Sequence, residues 1–154
     1  MAIVGGGLAG VYAAYCLHKA GIDFDLFEAR DRLGGRIHSA EAGLDLGSTW
    51  FWPDFQPHIH GLVGALGLRT FAQYDQGDVL IERGLGQVVR HQGYRSGNQS
   101  VRIEGGTTRL IDALAAHLPT DCIRLNTEVL AASLGESVVT PRPDAISCVT
   151  PLTE

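Results

Sequence analysis

Short apolar runs separated by glycine-marked turns organise the first part of the chain. Ala2-Ile3-Val4 runs into Gly5-Gly6-Gly7, which predicts a strand leaving on a tight turn. Beyond Gly10, Ala14 and Leu17 share one side of a helix, and Gly21 stands where a helix C′ glycine belongs. Phe24 to Phe27 then reads as a second strand, so residues 2–29 form a β–α–β unit. Short strands are expected near 36–39 and 44–46. Pro57 suits the first turn of a helix over 57–67, where Ile59, Leu62, Val63 and Leu66 recur at helical spacing. Leu110, Ile111, Leu114 and Leu118 predict a helix over 107–118 with one face on a sheet, followed by a strand near 122–126. Residues 82–101 are rich in Gly, Gln and Arg, lack apolar periodicity and read as a loop or linker. From 133 to 154 Ser, Thr and Pro displace the apolar pattern, and a divergent, disordered tail is expected there.

The first turn carries recognisable chemistry. Gly5-Gly6-Gly7-Leu8-Ala9-Gly10 is a G-x-G-x-x-G element between strand and helix, and Glu28 follows at the end of the second strand. That spacing wraps a dinucleotide. Gly5 allows the tight turn, Gly7 lets backbone approach a pyrophosphate, and Gly10 lets the helix lie against the sheet. The helix N-terminus offers free N–H groups and partial positive charge to phosphate. Glu28 can accept from two ribose hydroxyls and would repel a 2′-phosphate. The fold class that follows is α/β: a Rossmann-like open three-layer parallel sheet of the FAD/NAD(P)-binding type, incomplete, with the ligand at the carboxyl ends of its strands.

Glu28-Ala29-Arg30-Asp31-Arg32-Leu33-Gly34-Gly35-Arg36 reads E-A-R-x-R-x-G-G-R, and with it the chain resembles the flavin-containing amine oxidase family, which includes monoamine and polyamine oxidases. The resemblance implies that Gly5, Gly7, Gly10 and Glu28, with Ala29 beside it, hold the ADP half of FAD. It implies that Arg30, Gly34, Gly35 and Arg36 run along the diphosphate toward the flavin. Adjacent glycines expose N–H groups and arginine adds a fork of donors, so the assignment is chemically reasonable. The plain alternative for Arg30, Arg32 and Arg36 is a solvated basic loop.

The likeness continues to about residue 130. Asp45-Leu46-Gly47-Ser48-Thr49-Trp50 is similar to the family's D-x-G-G-x-W segment, which implies that Ser48, Thr49 and Trp50 approach the flavin; Ser48 replaces the commoner second glycine. Trp50-Phe51-Trp52-Pro53 walls a flavin or an apolar substrate, or packs a loop onto the core. Arg102 to Thr107 and Ile123 to Val129 look like the family's return into the FAD domain, with the Val129 backbone against adenine. The resulting division is a FAD-binding core with its G-G-R and aromatic segments over 1–81, a linker over 82–101, a return segment over 102–132 and the tail. The family's active-site lysine, most of its aromatic substrate cage and its flavin-linking cysteine have no matching position here, so no catalytic residue is assigned. The implied whole enzyme passes a hydride equivalent from an amine C–N bond to flavin, and this portion alone is not expected to turn over.

Composition narrows the partners. A net charge of −5 disfavours nucleic acid and anionic membranes, and no apolar run is long enough to span a bilayer. The first strand begins at once, so no leader peptide is expected, and the odd, widely spaced set Cys16, Cys122 and Cys148 suits a reducing, cytoplasmic setting. Cys16 reads as a buried helix residue and His38 as a half-buried strand residue. His58 and His60 lack an acidic or cysteine partner at ligand spacing, so no metal is expected. Asp75 and Asp78 show no paired-carboxylate logic. An incomplete sheet leaves an edge open to self-association. Two other readings stay open: a non-catalytic dinucleotide-binding remnant, and an NAD-dependent dehydrogenase domain, for which Glu28 would serve equally well.

Overall fold

The computed structural model describes residues 1–40, 43–93 and 97–131, with the backbone of 141–142 and 145–146. It divides into two compact units, one formed by Met1–Ser48 with Gly105–Glu154, the other by Thr49–Glu104.

The first unit is built on three parallel strands in the order β1 (Ala2–Val4), β2 (Asp25–Phe27), β9 (Ile123–Arg124). Helix α1 (Leu8–Lys19) joins β1 to β2. It ends in a Schellman cap: the Gly21 N–H bonds the His18 carbonyl, and the Ile22 N–H bonds the Leu17 carbonyl. Gly21 adopts φ +69°, which explains why a glycine closes the helix. Ile3, Leu26 and Ile123 share one sheet face through their register. That face meets α1, since Ile3 lies under Gly10. Helix α3 (Thr108–Ala115) packs beside α1. Its apolar stripe behaves as the periodicity predicts: Leu110, Ile111, Leu114 and the following Leu118 are all buried, as are Val11 and Ala14 of α1. On the other sheet face Val4 is 60% exposed and Arg124 pairs with Asp25 at 2.8 Å, in the open. Phe27, in register with Val4 and Arg124, is nonetheless buried at 5% exposure. A small antiparallel pair, β3 (Ser39–Ala40) with β4 (Leu44–Asp45), completes the unit.

Two residues sit differently from expectation. Cys16 is exposed, because it falls two residues past Ala14 and so off the inward stripe of α1. His38 is exposed and precedes β3 instead of lying within a strand. The expected tail lies outside the described residues, apart from an antiparallel ladder between β10 (Pro141–Arg142) and β11 (Ala145–Ile146). Cys148 lies outside them too.

The second unit holds α2 (Pro57–Ala65) and two antiparallel pairs. β5 (Thr70–Ala72) pairs with β8 (Val101–Ile103), and β6 (Val79–Glu82) pairs with β7 (Val88–His91). Val63 of α2, Phe51 and Ile103 are buried, while His58 and His60 are exposed on the helix. The stretch 82–101 is therefore no simple linker. Its Gly84 and Gly86 make the turn of the β6–β7 hairpin, where the Gly86 N–H bonds the Glu82 carboxylate at 3.0 Å, and Arg90 of β7 pairs with Asp78 at 2.5 Å.

Candidate functional site

The site forms where β1 and β2 end. Gly5 leaves β1 at φ +97°, and its N–H bonds the Phe27 carbonyl at 2.8 Å, so the turn stays tied to β2. Gly7 caps α1 in extended backbone without any side-chain cap, and the first turn of α1 holds no acid. The first N–H groups of α1 are left for a ligand, and the helix's own first turn sets no acid against one. A Cβ on Gly7 would meet nothing within 4 Å, whereas a Cβ on Gly10 would fall 1.9 Å from the Gly5 carbonyl oxygen. One glycine keeps room open beside the helix end; the other allows contact inside the turn.

Glu28 lies just past β2 and is only 7% exposed. Its Oε2 accepts the Gly6 N–H at 2.6 Å and its Oε1 the Arg30 N–H at 3.0 Å. These charge-assisted bonds hold the carboxylate in place while lone pairs remain for further donors. The G-G-R segment is stitched to the same turn. The Gly34 N–H bonds the Gly6 carbonyl at 2.7 Å, Gly34 bridges Gly7 in parallel fashion, and a Cβ on Gly35 would stand 3.2 Å from the Gly7 Cα. Arg30 and Arg36 are exposed beside it. The return segment reaches the acid from the other side: Thr127 N–H bonds the Glu28 carbonyl and Asn126 N–H the Arg30 carbonyl. Val129, half-buried, follows directly.

Asp45 organises the last part. Its Oδ1 accepts from Ser39 Oγ at 2.8 Å and Thr107 N at 2.7 Å, and the Thr107 hydroxyl lies 2.8 Å from Oδ1 and 2.7 Å from the Ser48 carbonyl, sharing its one proton between them. Gly47 comes so close to the G-G-R segment that a Cβ would lie 2.0 Å from the Arg36 carbonyl oxygen. Of the expected pair of glycines, this first one is under steric compulsion, and Ser48 stands exposed in the position where the family's second glycine is replaced.

The first unit thus brings together Gly5, Gly7, Gly10, Glu28, Ala29, Arg30, Gly34, Gly35, Arg36, Ser48 and Val129. Thr49 and Trp50 open the second unit. There Trp50 meets Trp52 edge to face, and both line a cavity of about 490 Å³ with Tyr74, Asp75 and Asp78. Sequence reasoning missed Gly6, Arg32 and Thr107 and gave Asp45 no role. Gly6 is a wildcard in the glycine pattern, yet a Cβ on it would strike Leu33 at 2.6 Å and press on Glu28. Among the described residues no cluster of His, Cys, Asp or Glu is arranged to hold a metal, and no helix is long and apolar enough to cross a membrane.

Comparison with known proteins agrees with this geometry. Residues 3–66 match the model of the NAD(P)-binding Rossmann-like domain. The chain is 38% identical over 125 residues to a probable flavin-containing monoamine oxidase A of Dictyostelium discoideum, covering 77% of this chain and 27% of that protein. It is 43% identical over 79 residues to the putrescine oxidase of Kocuria rosea, covering 49% and 16%. Among solved structures, a putrescine oxidase bound to putrescine superimposes with a TM-score of 0.53 and 39% identity over 60% of this chain and 21% of its own. Cyclohexylamine oxidase from Brevibacterium oxydans, at 17% identity, shares the fold with a TM-score of 0.71 over 81% of this chain. The chain spans about a quarter or less of the length of these curated relatives. Over the part of their length that it matches, this chain is similar to flavin-containing amine oxidases, and residues 3–66 of that part match a dinucleotide-binding domain.

Proposed function

We propose that the chain holds FAD and forms the cofactor-binding part of an enzyme that oxidises an amine at a C–N bond. The observation that carries this is the double stitch at Gly6, whose N–H bonds Glu28 and whose carbonyl takes the Gly34 N–H. It sets an acid, a helix N-terminus and a second glycine loop around one point. The open space beside Gly7 fits a diphosphate, and the buried carboxylate fits a ribose diol. Gly5, Gly7, Gly10, Gly34 and Gly35 would frame the diphosphate, with Arg30 and Arg36 at its rim. Glu28 would take the ribose, with Ala29 beside it, and Val129 the adenine edge. Ser48, Thr49 and Trp50 would lie toward the flavin. FAD, when bound, supplies the acceptor for a hydride equivalent. This chain's residues bind and orient it, and turnover needs groups that none of them provides.

We extend the proposal to substrate, setting and assembly. The substrate of the whole enzyme is an amine. The setting is cytoplasmic, consistent with the unpaired Cys16 and Cys122. Among the described residues no strand lies on the outer edge of β1, and that edge is where self-association would occur.

The first test is the visible spectrum of the purified chain, given FAD and then freed of excess by gel filtration. A retained flavin band is expected. A cooperatively folded chain without flavin points instead to a remnant or a nicotinamide binder, which titration with NAD separates. Glu28→Ala is expected to weaken FAD binding by about 1–3 kcal/mol, from two charge-assisted bonds lost. Calorimetric titration checks it, and unchanged affinity would sink the ribose assignment.

A further inference from the structure

We infer that Arg32, which contacts no open surface of the site, is the positioning residue of the diphosphate loop and the source of its uncompensated positive charge. The inference rests on the dinucleotide reading above. The half-buried guanidinium lies among three carbonyls of one short turn. Nη1 donates to Leu33 O at 3.2 Å and to Ile37 O at 3.4 Å, and Nη2 donates to Gly35 O at 3.1 Å. A trans peptide places each N–H opposite the carbonyl of the residue before it. Holding Leu33 O inward therefore turns the Gly34 N–H toward Gly6 O, where it is found. Holding Gly35 O inward turns the Arg36 N–H away from Arg32, onto the side where a ligand anion would be met. Arg32 thus shapes a concave set of amides by gripping the back of the loop.

Its charge matters as much as its shape. Arg69 pairs with Glu104, Arg90 with Asp78 and Arg124 with Asp25, whereas the partners seen for Arg32 are carbonyl oxygens. A half-buried cation held by neutral carbonyls, with no carboxylate paired to it, keeps its net charge beside the loop. The acid-free N-terminus of α1 adds the same sign. Glu28, the carboxylate of the site, is already engaged by two backbone N–H groups. The loop is consequently suited to a doubly charged diphosphate more than to a neutral nucleoside. Arg30 and Arg36 at the surface would add to affinity; Arg32 would determine whether the loop has its binding shape at all.

The test compares ADP with adenosine by calorimetric titration, on the wild-type chain, Arg32→Lys and Arg32→Met. Arg32→Met is expected to lose about 10- to 100-fold in ADP affinity, with adenosine affinity unchanged. Arg32→Lys should fall between, because an ammonium keeps the charge but cannot reach three carbonyls. In Arg32→Lys and Arg32→Met the Ile37 amide, which bonds the Gly34 carbonyl, should exchange hydrogen faster while the buried centre of α3 stays protected; if Arg32→Met loses that protection too, Arg32→Lys alone decides the matter. Equal losses for ADP and adenosine, or no loss with unchanged exchange, overturn the inference. A wild-type chain that binds ADP but not FAD overturns the flavin reading alone, and the ADP comparison still judges Arg32. A chain that binds neither overturns both.

Discussion

Alanine at Gly10 is expected to destabilise the chain by about 3 kcal/mol or more, a loss beyond the usual range for adding one methyl group. Local propensity argues the opposite, since alanine is favoured over glycine by about 1 kcal/mol inside a helix. Packing decides. An added Cβ falls 1.9 Å from the Gly5 carbonyl oxygen, 3.1 Å from the Gly5 carbonyl carbon and 3.3 Å from Ile3 Cγ2. Gly5 cannot retreat, because its N–H is bonded to Phe27 and its φ is +97°. The β1–α1 turn must open instead. Opening it moves Gly6, and with Gly6 go the Glu28 carboxylate and the Gly34 stitch. FAD retention should therefore disappear along with stability. Gly64 of α2 is the control: a Cβ there meets nothing within 4 Å, so Gly64→Ala should gain up to about 1 kcal/mol. Urea denaturation of both variants checks the pair. Equal and small shifts would show that helix propensity, not the turn, governs Gly10.

These two glycines also show what was legible in the sequence. Spacing alone separated Gly5, Gly7 and Gly10 into a turn, an opening and a contact, and each has that surrounding in the structure. The apolar stripe of α3 and the Gly21 cap were equally plain, because periodicity and a C′ glycine are local signals. What stayed hidden depends on partners distant in sequence. Nothing local marks Gly6, whose constraint comes from Leu33 and Glu28. Arg32 sits between two similar arginines, and only the turn geometry separates the one gripping carbonyls from the two at the surface. The β6–β7 hairpin was obscured because its turn glycines resemble those of a linker. The exposure of Cys16 follows from its angle on α1, which its residue type does not reveal.

Asp45→Ala should cost about 2–4 kcal/mol and loosen the point where the chain leaves and re-enters the first unit. The leaving segment, Gly43–Ser48, meets the returning segment, Gly105–Thr107, at backbone distance. A Cβ on Gly43 would be 2.7 Å from the Gly105 carbonyl oxygen, and one on Gly106 would be 2.8 Å from the Gly43 carbonyl oxygen. Such an approach leaves no space for apolar packing, so polar bonds must hold it. Asp45 Oδ1 takes three of them, two from Thr107, which is 7% exposed. Alanine strands the Thr107 N–H in a buried place, and the Thr107 hydroxyl is left with the Ser48 carbonyl. Asp45→Asn keeps an acceptor oxygen and should cost about 1 kcal/mol, the part that depends on charge. Hydrogen exchange at the Thr107 amide distinguishes this clasp from a general loss of stability: it should become fast in Asp45→Ala while the buried centre of α3 stays protected. If Thr107 stays protected and stability is unchanged, the two segments are held by their backbones alone. If the clasp opens, the Thr107–Ser48 contact moves with it, and affinity for FAD should then fall more than affinity for ADP if Ser48 lies toward the flavin as proposed.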